Sequence, residues 1–140
     1  MSDVYSTTTI PYVNARPHLG FALALVQADV LARHHRRRGD GVRLQTGTDD
    51  NSLKNVLAAE AAGVGVREFV DTNAEAFLAL HAPLSLSFAD VIRTSRDRWH
   101  RVGVARFWRA CAGAGDLYRK QLRGPVLRGL RAVLHPGRCC

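Results

Sequence analysis

Two side chains in this sequence have the type and the setting to act on a bound ligand, His18 and Asp49. His18 follows the strand-like run Thr7–Ile10 and opens a long apolar helix pattern, and such strand-to-helix junctions are where α/β proteins bind nucleotides. Its imidazole would lie beside the free backbone N–H groups of a first helical turn, where it can hydrogen-bond a phosphate. Asp49 follows a second strand-like run, Val42–Thr46, and its carboxylate can pair with an ammonium group.

The residues around His18 support a ligand-binding turn. Pro17 suits the first helical position because it has no N–H to leave unpaired. Gly20 has no side chain and would let a ligand approach the backbone closely. The alternatives are an ordinary surface histidine near a helix start and, for the carboxylate, a cap on the next helix. Asp50 and Ser52 are better candidates for that cap.

Strand and helix patterns alternate along the chain. Strands are predicted at about residues 5–10, 42–46 and 88–93, and helices at about 17–38, 52–62, 66–81 and 97–113. Gly39 and Gly63 suit helix C-termini, and Pro83 stops the third helix. Strands that alternate with helices predict an α/β fold with a parallel sheet and right-handed crossovers, similar to the first half of a Rossmann-like domain.

Apolar residues at helical spacing support these helices. They are Leu23, Val26, Val30 and Leu31 in the first helix, Phe69, Val70, Phe77, Leu78 and Leu80 on the inward side of the third, and Trp99, Val102, Phe107 and Trp108 in the last. The helical spacing of the aromatic residues in the last helix favours core packing over base stacking.

The 140 residues and the 46% hydrophobic content fit one domain with a substantial core. No apolar run approaches the roughly 20 residues of a membrane span, and the first residues, Met1–Tyr5, do not resemble a secretory signal. We therefore expect a cytoplasmic protein without a membrane partner. The three cysteines, Cys111, Cys139 and Cys140, lack the spacing of a metal site, so we expect reduced thiols and no bound metal.

A net charge of +8 invites a nucleic-acid-binding interpretation, but the distribution of that charge argues for caution. Residues 119–140 hold six basic residues and no acidic one, whereas residues 1–118 hold fourteen basic and all twelve acidic residues. The basic run His34–Arg38 lies at a predicted helix C-terminus, where its interaction with the helix dipole explains it without any partner. A contact with tRNA is the alternative for this run.

The chain resembles the class I aminoacyl-tRNA synthetases and, within them, the methionyl-tRNA synthetase family. Ile10–Asn14 followed by Pro17–Gly20 is similar to the ATP-binding signature of that class. Thr46–Asp49 matches the start of the family's Thr-Gly-Thr-Asp-Glu-His-Gly segment, whose last three positions read Asp50–Ser52 here. Both segments lie at strand-to-helix junctions and at the family's spacing, and the resemblance covers residues 5–118.

The resemblance implies a fold and a site. Residues 1–118 would be the first, incomplete part of a Rossmann-like parallel-sheet nucleotide-binding catalytic domain, followed by a basic, disordered tail at 119–140. The residues implied are Pro17, His18, Gly20 and Phe21 for ATP, with His18 and Phe21 in the catalytic positions, and Thr9, Ile10, Tyr12 and Asp49 for the amino acid. In the family the matching aspartate binds the amino group of methionine. Ordinary strand-end packing is the alternative for the apolar members of the second set.

Phe21 is the most damaging departure from the family pattern. The family has a second histidine at this position, which stabilises the phosphoryl region during the transfer. Phenylalanine can neither donate a hydrogen bond nor carry charge, and the loss of such a contact typically costs about 10²–10³ in rate. The alternative is that the Phe21 ring simply packs against the adenine side of the site.

The family's activity is methionine–tRNA ligation in protein biosynthesis, in which ATP activates methionine for transfer to tRNA. ATP, with magnesium, and the partners methionine and tRNA are therefore implied, and the resemblance makes no prediction of oligomeric state. The family's zinc insertion, its Lys-Met-Ser-Lys-Ser loop, the second half of its nucleotide fold and its anticodon-binding domain have no counterpart in this sequence. We therefore expect this polypeptide alone not to aminoacylate tRNA.

The segment after Tyr118 departs abruptly from the family pattern, which continues with a Tyr-Glu-Gly-x-Tyr-Cys-x-x-Cys-Glu type of segment. Shifting the codons of Leu122–Leu134 by one base permits Tyr-Glu-Gly-x-Tyr-Cys-x-Gly-Cys-Glu-Arg-Phe-Tyr. So long a compatible run is difficult to ascribe to chance. We hypothesise a frameshift near residues 119–121, and an authentic basic tail is the alternative.

Three other functions remain to be weighed. A divergent synthetase paralogue could activate another amino acid or make an aminoacyl conjugate. A truncated, non-catalytic remnant could bind nucleotide weakly, and its exposed edge strand would favour aggregation. A small RNA-binding protein is supported only by the basic tail.

Overall fold

A computed structural model of the chain describes residues 2–119 together with the backbone of residues 126–127 and 132–133. The chain divides into two compact units, residues 1–103 and 104–140, and each is described by itself. The predicted disorder and shifted reading frame of residues 119–140 fall almost wholly outside the described residues. Cys139 and Cys140 also lie outside them, and Cys111 is a free thiol.

The secondary-structure elements follow the predicted alternation. They are β1 (Asp3–Thr7), α1 (Leu19–Arg37), β2 (Gly41–Thr48), α2 (Leu53–Ala62), α3 (Val66–Leu78), a 3₁₀ turn (Ala79–His81), β3 (Asp90–Arg93), α4 (Arg98–Ala114), β4 (Val126–Leu127) and β5 (Ala132–Val133). In the second unit β4 and β5 pair antiparallel.

The first unit is built on a parallel sheet with the strand order β1-β2-β3, which confirms the predicted α/β fold. Asp3 of β1 pairs with Gly41 of β2, and Gln45 of β2 pairs with Asp90 of β3. β1 ends at Thr7, earlier than predicted. Because the strands are parallel, their carboxyl ends lie at one edge of the sheet, and the turns that follow β1 and β2 meet there.

The start of α1 differs from the prediction, while its end agrees with it. The helix begins at Leu19 and His18 is its N-cap, with an extended backbone (φ −103°, ψ 165°). Pro17 therefore lies outside the helix, and its predicted place at the first helical position is wrong. At the other end Gly39 has a φ of 85° directly after the C-cap, as its choice for a helix terminus predicted.

The apolar faces of the helices agree with the sequence pattern only in α3. Its predicted inward residues Val70 and Phe77 are buried, and the other three are half-buried. In α1 the buried residues are Leu25, Asp29 and Ala32, whereas Leu23, Val30 and Leu31 are exposed. The predicted core packing of the last helix is wrong, because Trp99, Val102, Phe107 and Trp108 are all exposed. Among the described residues no helix combines the length and the apolarity required to span a membrane.

The segment between the 3₁₀ turn and β3 is fastened to α1 by Asp29, a buried acid. Its carboxylate accepts hydrogen bonds from the Ser87 backbone N–H at 2.7 Å, from the Ser87 hydroxyl and from Arg33 Nε at 2.5 Å. Burial raises the pKa of Asp29, but these hydrogen bonds outweigh it and hold the pKa below its usual value. Arg36 adds a hydrogen bond to the Ser87 carbonyl at 3.1 Å. Asp29 and Arg36 together therefore hold the segment that leads into β3 against α1.

Asp29→Asn is expected to lower the free energy of unfolding by about 1–3 kcal/mol, because the half-buried donors of Ser87 lose a charged acceptor on a buried side chain. The folded chain lowers the pKa of this carboxyl, so the stabilisation is present above the pKa of the unfolded chain, ~3.9. It is lost as the pH falls through the lower folded value. Urea denaturation at about pH 7 and about pH 3 measures both effects.

Glu60→Gln is the matched control, because Glu60 is an exposed acid on α2. Equal losses of stability in the two variants would contradict the role of Asp29. An Asp29→Asn loss that persists undiminished at acid pH would contradict the electrostatic part of the explanation.

Candidate active site at the carboxyl ends of the strands

The turns after β1 and β2 lie side by side and bring Tyr12 next to Asp49. The Asp49 backbone N–H donates to the Pro11 carbonyl at 2.8 Å, and Tyr12 and Asp49 form an isolated parallel bridge beyond the paired strands. The Lys54 ammonium lies 5.3 Å from the centre of the Tyr12 ring. The structure therefore assembles an aromatic side chain, a carboxylate and an ammonium group from two separate sequence segments.

His18 lies at the start of α1 with its ring turned back on the helix. Its Nδ1 accepts the Phe21 backbone N–H at 3.3 Å, and its carbonyl accepts the same N–H at 3.0 Å. A neutral imidazole that accepts at Nδ1 carries its proton on Nε2, which is then a donor. The ring is exposed, so this donor faces solvent beside the first turn of the helix. Such an arrangement suits a phosphate oxygen.

Gly20 makes room for that ring. A Cβ atom at residue 20 would lie 3.1 Å from Cε1 and Nδ1 of His18, closer than most side-chain contacts. The predicted reason for this glycine was close approach of a ligand to the backbone. In the structure the imidazole of His18, two residues earlier, approaches this position, and the approach of a ligand stays a prediction.

Phe21 belongs to the hydrophobic core. It packs against the buried cluster of Val13, Val70, Ala74 and Phe77, and its ring meets the Phe77 ring edge-on with centres 5.0 Å apart. In the structure the ring contacts α3 and the turn after β1, and the alternative that it packs on the adenine side of the site stays a prediction. Phe21 therefore connects the first turn of α1 to the core.

The residues just after β1 lie in two different environments. Ile10 lines a cavity of about 260 Å³ together with residues from all three strands, and His100 closes one side of it. Thr9 is exposed. Tyr12 lies beside Asp49 instead of in this cavity. The residues proposed to bind the amino acid thus lie around one edge of the sheet, and Ile10 is the member of this set that lines the cavity.

Asp50 is the central charged group beneath this edge, and its side chain is completely buried. Its carboxylate accepts hydrogen bonds from the hydroxyls of Thr48 at 2.7 Å and Ser95 at 2.6 Å and from Arg93 Nε at 3.1 Å. Its backbone N–H donates to the Thr94 hydroxyl at 2.8 Å. The prediction that Asp50 caps α2 is wrong, because its carboxylate faces β3 rather than the helix.

Ser52 is the N-cap of α2, as predicted, since its hydroxyl accepts the Lys54 backbone N–H at 3.1 Å. Asp49 accepts the Asn51 backbone N–H at 3.2 Å and so closes a short turn instead of capping the helix. The Asp49 carboxylate retains its second oxygen for other partners.

Arg93 extends the buried charges to α3. It donates to Asp71 at 2.7 Å, and Arg96 contacts the other oxygen of the same carboxylate. The hydrogen bond from Arg96, followed by that from Arg93, lowers the pKa of Asp71. Asp50, Asn51, Asp71 and Arg96 are among the residues that line a cavity of about 440 Å³ next to this network.

Gly47 lets β2 and β3 approach each other. A Cβ at this position would lie 2.1 Å from the Ile92 carbonyl oxygen, which no side chain tolerates. The pairing of β2 with β3 therefore requires the glycine of the Thr46–Asp49 motif, independently of any ligand that binds near Asp49.

Sequence reasoning missed several residues of this site. They are Asn55, Asp71, Arg93, Thr94 and Ser95. A signal for the last three was present, because Arg93 ends β3, Thr94 and Ser95 follow it, and the carboxyl ends of parallel strands share one edge. Asn55 and Asp71 lie on helix patterns, where nothing in the spacing separates a site-forming polar residue from a solvated one.

Comparison with known proteins shows which family the chain resembles. A profile for the family described as "tRNA synthetases class I (M)" matches residues 4–128. The mitochondrial methionine–tRNA ligase of Takifugu rubripes is 42% identical over 122 residues, which make up 87% of this chain and 20% of the relative. The methionine–tRNA ligase of Mycobacterium bovis is 39% identical over 124 residues, or 89% of this chain and 24% of the relative.

The fold is shared with a solved member of the same family. The structure of Mycobacterium tuberculosis methionyl-tRNA synthetase in complex with methionyl-adenylate superimposes with a TM-score of 0.81 at 39% identity. The match covers 84% of this chain and 23% of that one, so the chain spans about a quarter of the length of this relative. Since the family profile covers most of the sequence and the relatives agree with it in sequence and in fold, the chain belongs to the methionyl-tRNA synthetase family of class I tRNA synthetases.

Proposed function

We propose that the chain provides the part of a methionine–tRNA ligase that binds methionine and the phosphates of ATP. The observation that carries the proposal is the pairing of Tyr12 with Asp49, next to the turn that leads to the His18-capped helix. Those residues match the family's motifs, and the relatives that this chain resembles over most of its length are methionine–tRNA ligases. The complete activity would require the remaining length of such an enzyme.

The proposed roles follow from the donors and acceptors at the site. His18 would donate from Nε2 to a phosphate oxygen, and the N–H groups at the start of α1 would add their partial positive charge. Asp49 would bind the ammonium group of methionine through its free oxygen. The methionine carboxylate would then attack the α-phosphate of ATP, so these residues act by orienting the two substrates.

Metal ions would enter this chemistry with the substrate. Magnesium prefers a few carboxylates together with the phosphates of a nucleotide. Within residues 2–119 no three His, Cys, Asp or Glu side chains converge in a way that could hold a metal. We therefore propose that magnesium is brought by ATP, and we assign no residue of the described part to the zinc of the family.

The tRNA partner and the location of the protein remain proposals. The relatives are tRNA ligases, but this chain covers only a fifth to a quarter of their length. Those relatives include mitochondrial proteins and bacterial ones, and a cytoplasmic location is the simplest proposal for this chain.

A chimera tests the proposed function directly. Residues 1–118 would replace the matching segment of the Mycobacterium tuberculosis enzyme, and methionine-dependent ATP–pyrophosphate exchange would be measured. We expect exchange in the chimera and none with the 140-residue chain alone, because the chain supplies one part of the site. Asp49→Asn should abolish the methionine-dependent exchange, whereas Asp3→Asn, at the start of β1, should not. Activity for a different amino acid would favour a divergent paralogue, and a chimera that folds without any exchange would favour the non-catalytic remnant.

Phe21→His in the same chimera is expected to raise the exchange rate by about 10²–10³, because it restores a hydrogen-bond donor to the first turn of α1. Phe21→Leu is the control, since it changes the core contact with Phe77 without adding a donor. Thermal unfolding of both variants separates a loss of packing from an effect on the reaction. A Phe21→His variant that is folded and no faster would show that this position does not limit the rate.

Sequencing the gene and its messenger tests the proposed frameshift. We expect one base gained or lost near the codons of residues 119–121, after which the corrected frame reads into the Cys-containing segment permitted by the codons of Leu122–Leu134. An unaltered frame through Cys140 would establish the basic tail as authentic.

A further inference from the structure

Asn55 is a buried amide directly beneath the turn that carries Asp49. It lies on α2 with 1% of its surface exposed. Its Nδ2 donates to the Asp49 carbonyl at 3.2 Å and to the Asp50 carbonyl at 3.0 Å. One side chain thus holds two consecutive peptide groups of the β2–α2 turn.

The other end of the same amide has no partner. Asn55 Oδ1 is buried without a hydrogen bond to the described part of the protein. A buried acceptor left unpaired destabilises a fold, so stability alone does not explain an amide at this position. An apolar residue of similar size could not provide the two hydrogen bonds that this amide donates.

We propose that Asn55 is a positioning residue for amino-acid binding: by fixing the peptide planes of Asp49 and Asp50, it sets the direction in which the Asp49 carboxylate is presented. This inference rests on the proposed function, in which Asp49 binds the ammonium group of methionine. No contact between Asn55 and the ligand is required.

The surrounding hydrogen bonds show why this turn requires such a residue. The backbone N–H of Asp49 donates to the Pro11 carbonyl, and the backbone N–H of Asp50 donates to the Thr94 hydroxyl. Residues that follow β1 and β3 therefore hold both backbone donors. Only Asn55 holds the carbonyl side among the side-chain hydrogen bonds of the described residues. The turn between Thr48 and α2 is therefore hydrogen-bonded on both its N–H side and its carbonyl side.

Asn73 offers a matched control. It is also a buried amide on a helix, and its Nδ2 donates to a single loop carbonyl, that of Val13, at 3.0 Å. Asn55→Leu and Asn73→Leu make the same chemical change at two different turns. Nuclear magnetic resonance of the ¹⁵N-labelled full chain then reports on each turn separately.

Two signals test the positioning role. In Asn55→Leu the Asp49 and Asp50 amides are expected to exchange with deuterium about tenfold faster or more, equivalent to ~1.4 kcal/mol, whereas Asn73→Leu leaves them unchanged. The Asn51 amide should also lose its chemical-shift response to ionisation of Asp49, because that response depends on the 3.2 Å hydrogen bond between them. Urea unfolding of both variants should show that the local change exceeds any global one.

Unchanged exchange at Asp49 and Asp50, together with an unchanged Asn51 response, would overturn the proposal. If the leucine variants do not fold, Asn55→Ala and Asn73→Ala make the same comparison with smaller side chains. A titration with methioninol, which keeps the ammonium group and lacks the carboxylate, tests the proposed function separately. Failure of the natural chain to bind methioninol counts against the function, whereas amide exchange together with the Asn51 response decides the role of Asn55.

Discussion

The rest of the site depends on the hydrogen bonds and the ion pair made by the fully buried carboxylate of Asp50. A charge removed from water destabilises a fold unless hydrogen bonds and opposite charge surround it. Here Thr48 belongs to β2, Arg93 ends β3 and Ser95 follows it, so satisfying one carboxylate fixes the ends of two strands. Arg93 also contacts Asp71, which brings α3 to the same point. The side chain of Asp50 and its partners therefore connect the turn that presents the candidate ligand-binding groups to β2, β3 and α3.

Much of the fold could be predicted from the sequence because it rests on local signals. Alternating and helical patterns, left-handed glycines and a capping serine act over a few residues, so their outcome does not depend on the remainder of the chain. Which side of a helix is buried depends on its neighbours, and there the prediction was wrong. α1 buries Asp29 and exposes Leu23, since the ion pair and hydrogen bonds of Asp29 offset its burial.

The part of the candidate site that lies within the two sequence motifs could be predicted. His18 and Asp49 stand at the junctions where the sequence placed them, and their neighbours assemble because parallel strands end at one edge. The groups that support them come from helices distant in sequence, where a polar residue has no distinguishing pattern. Phe21 is the opposite case. The sequence identified it as an unusual residue at this position, whereas its packing against Phe77 became visible only in the structure.

The sheet also constrains how this chain can be synthesised and folded. β1 pairs with β2 across the whole of α1, and β2 reaches β3 only after two more helices, so each strand must wait for a partner made much later. Parallel pairing of this kind has a high contact order and forms slowly. Among the described residues β1 has a neighbour on one side alone. During synthesis β1 would thus leave the ribosome unpaired and stay so until β2 has been made, which leaves its edge open to wrong partners.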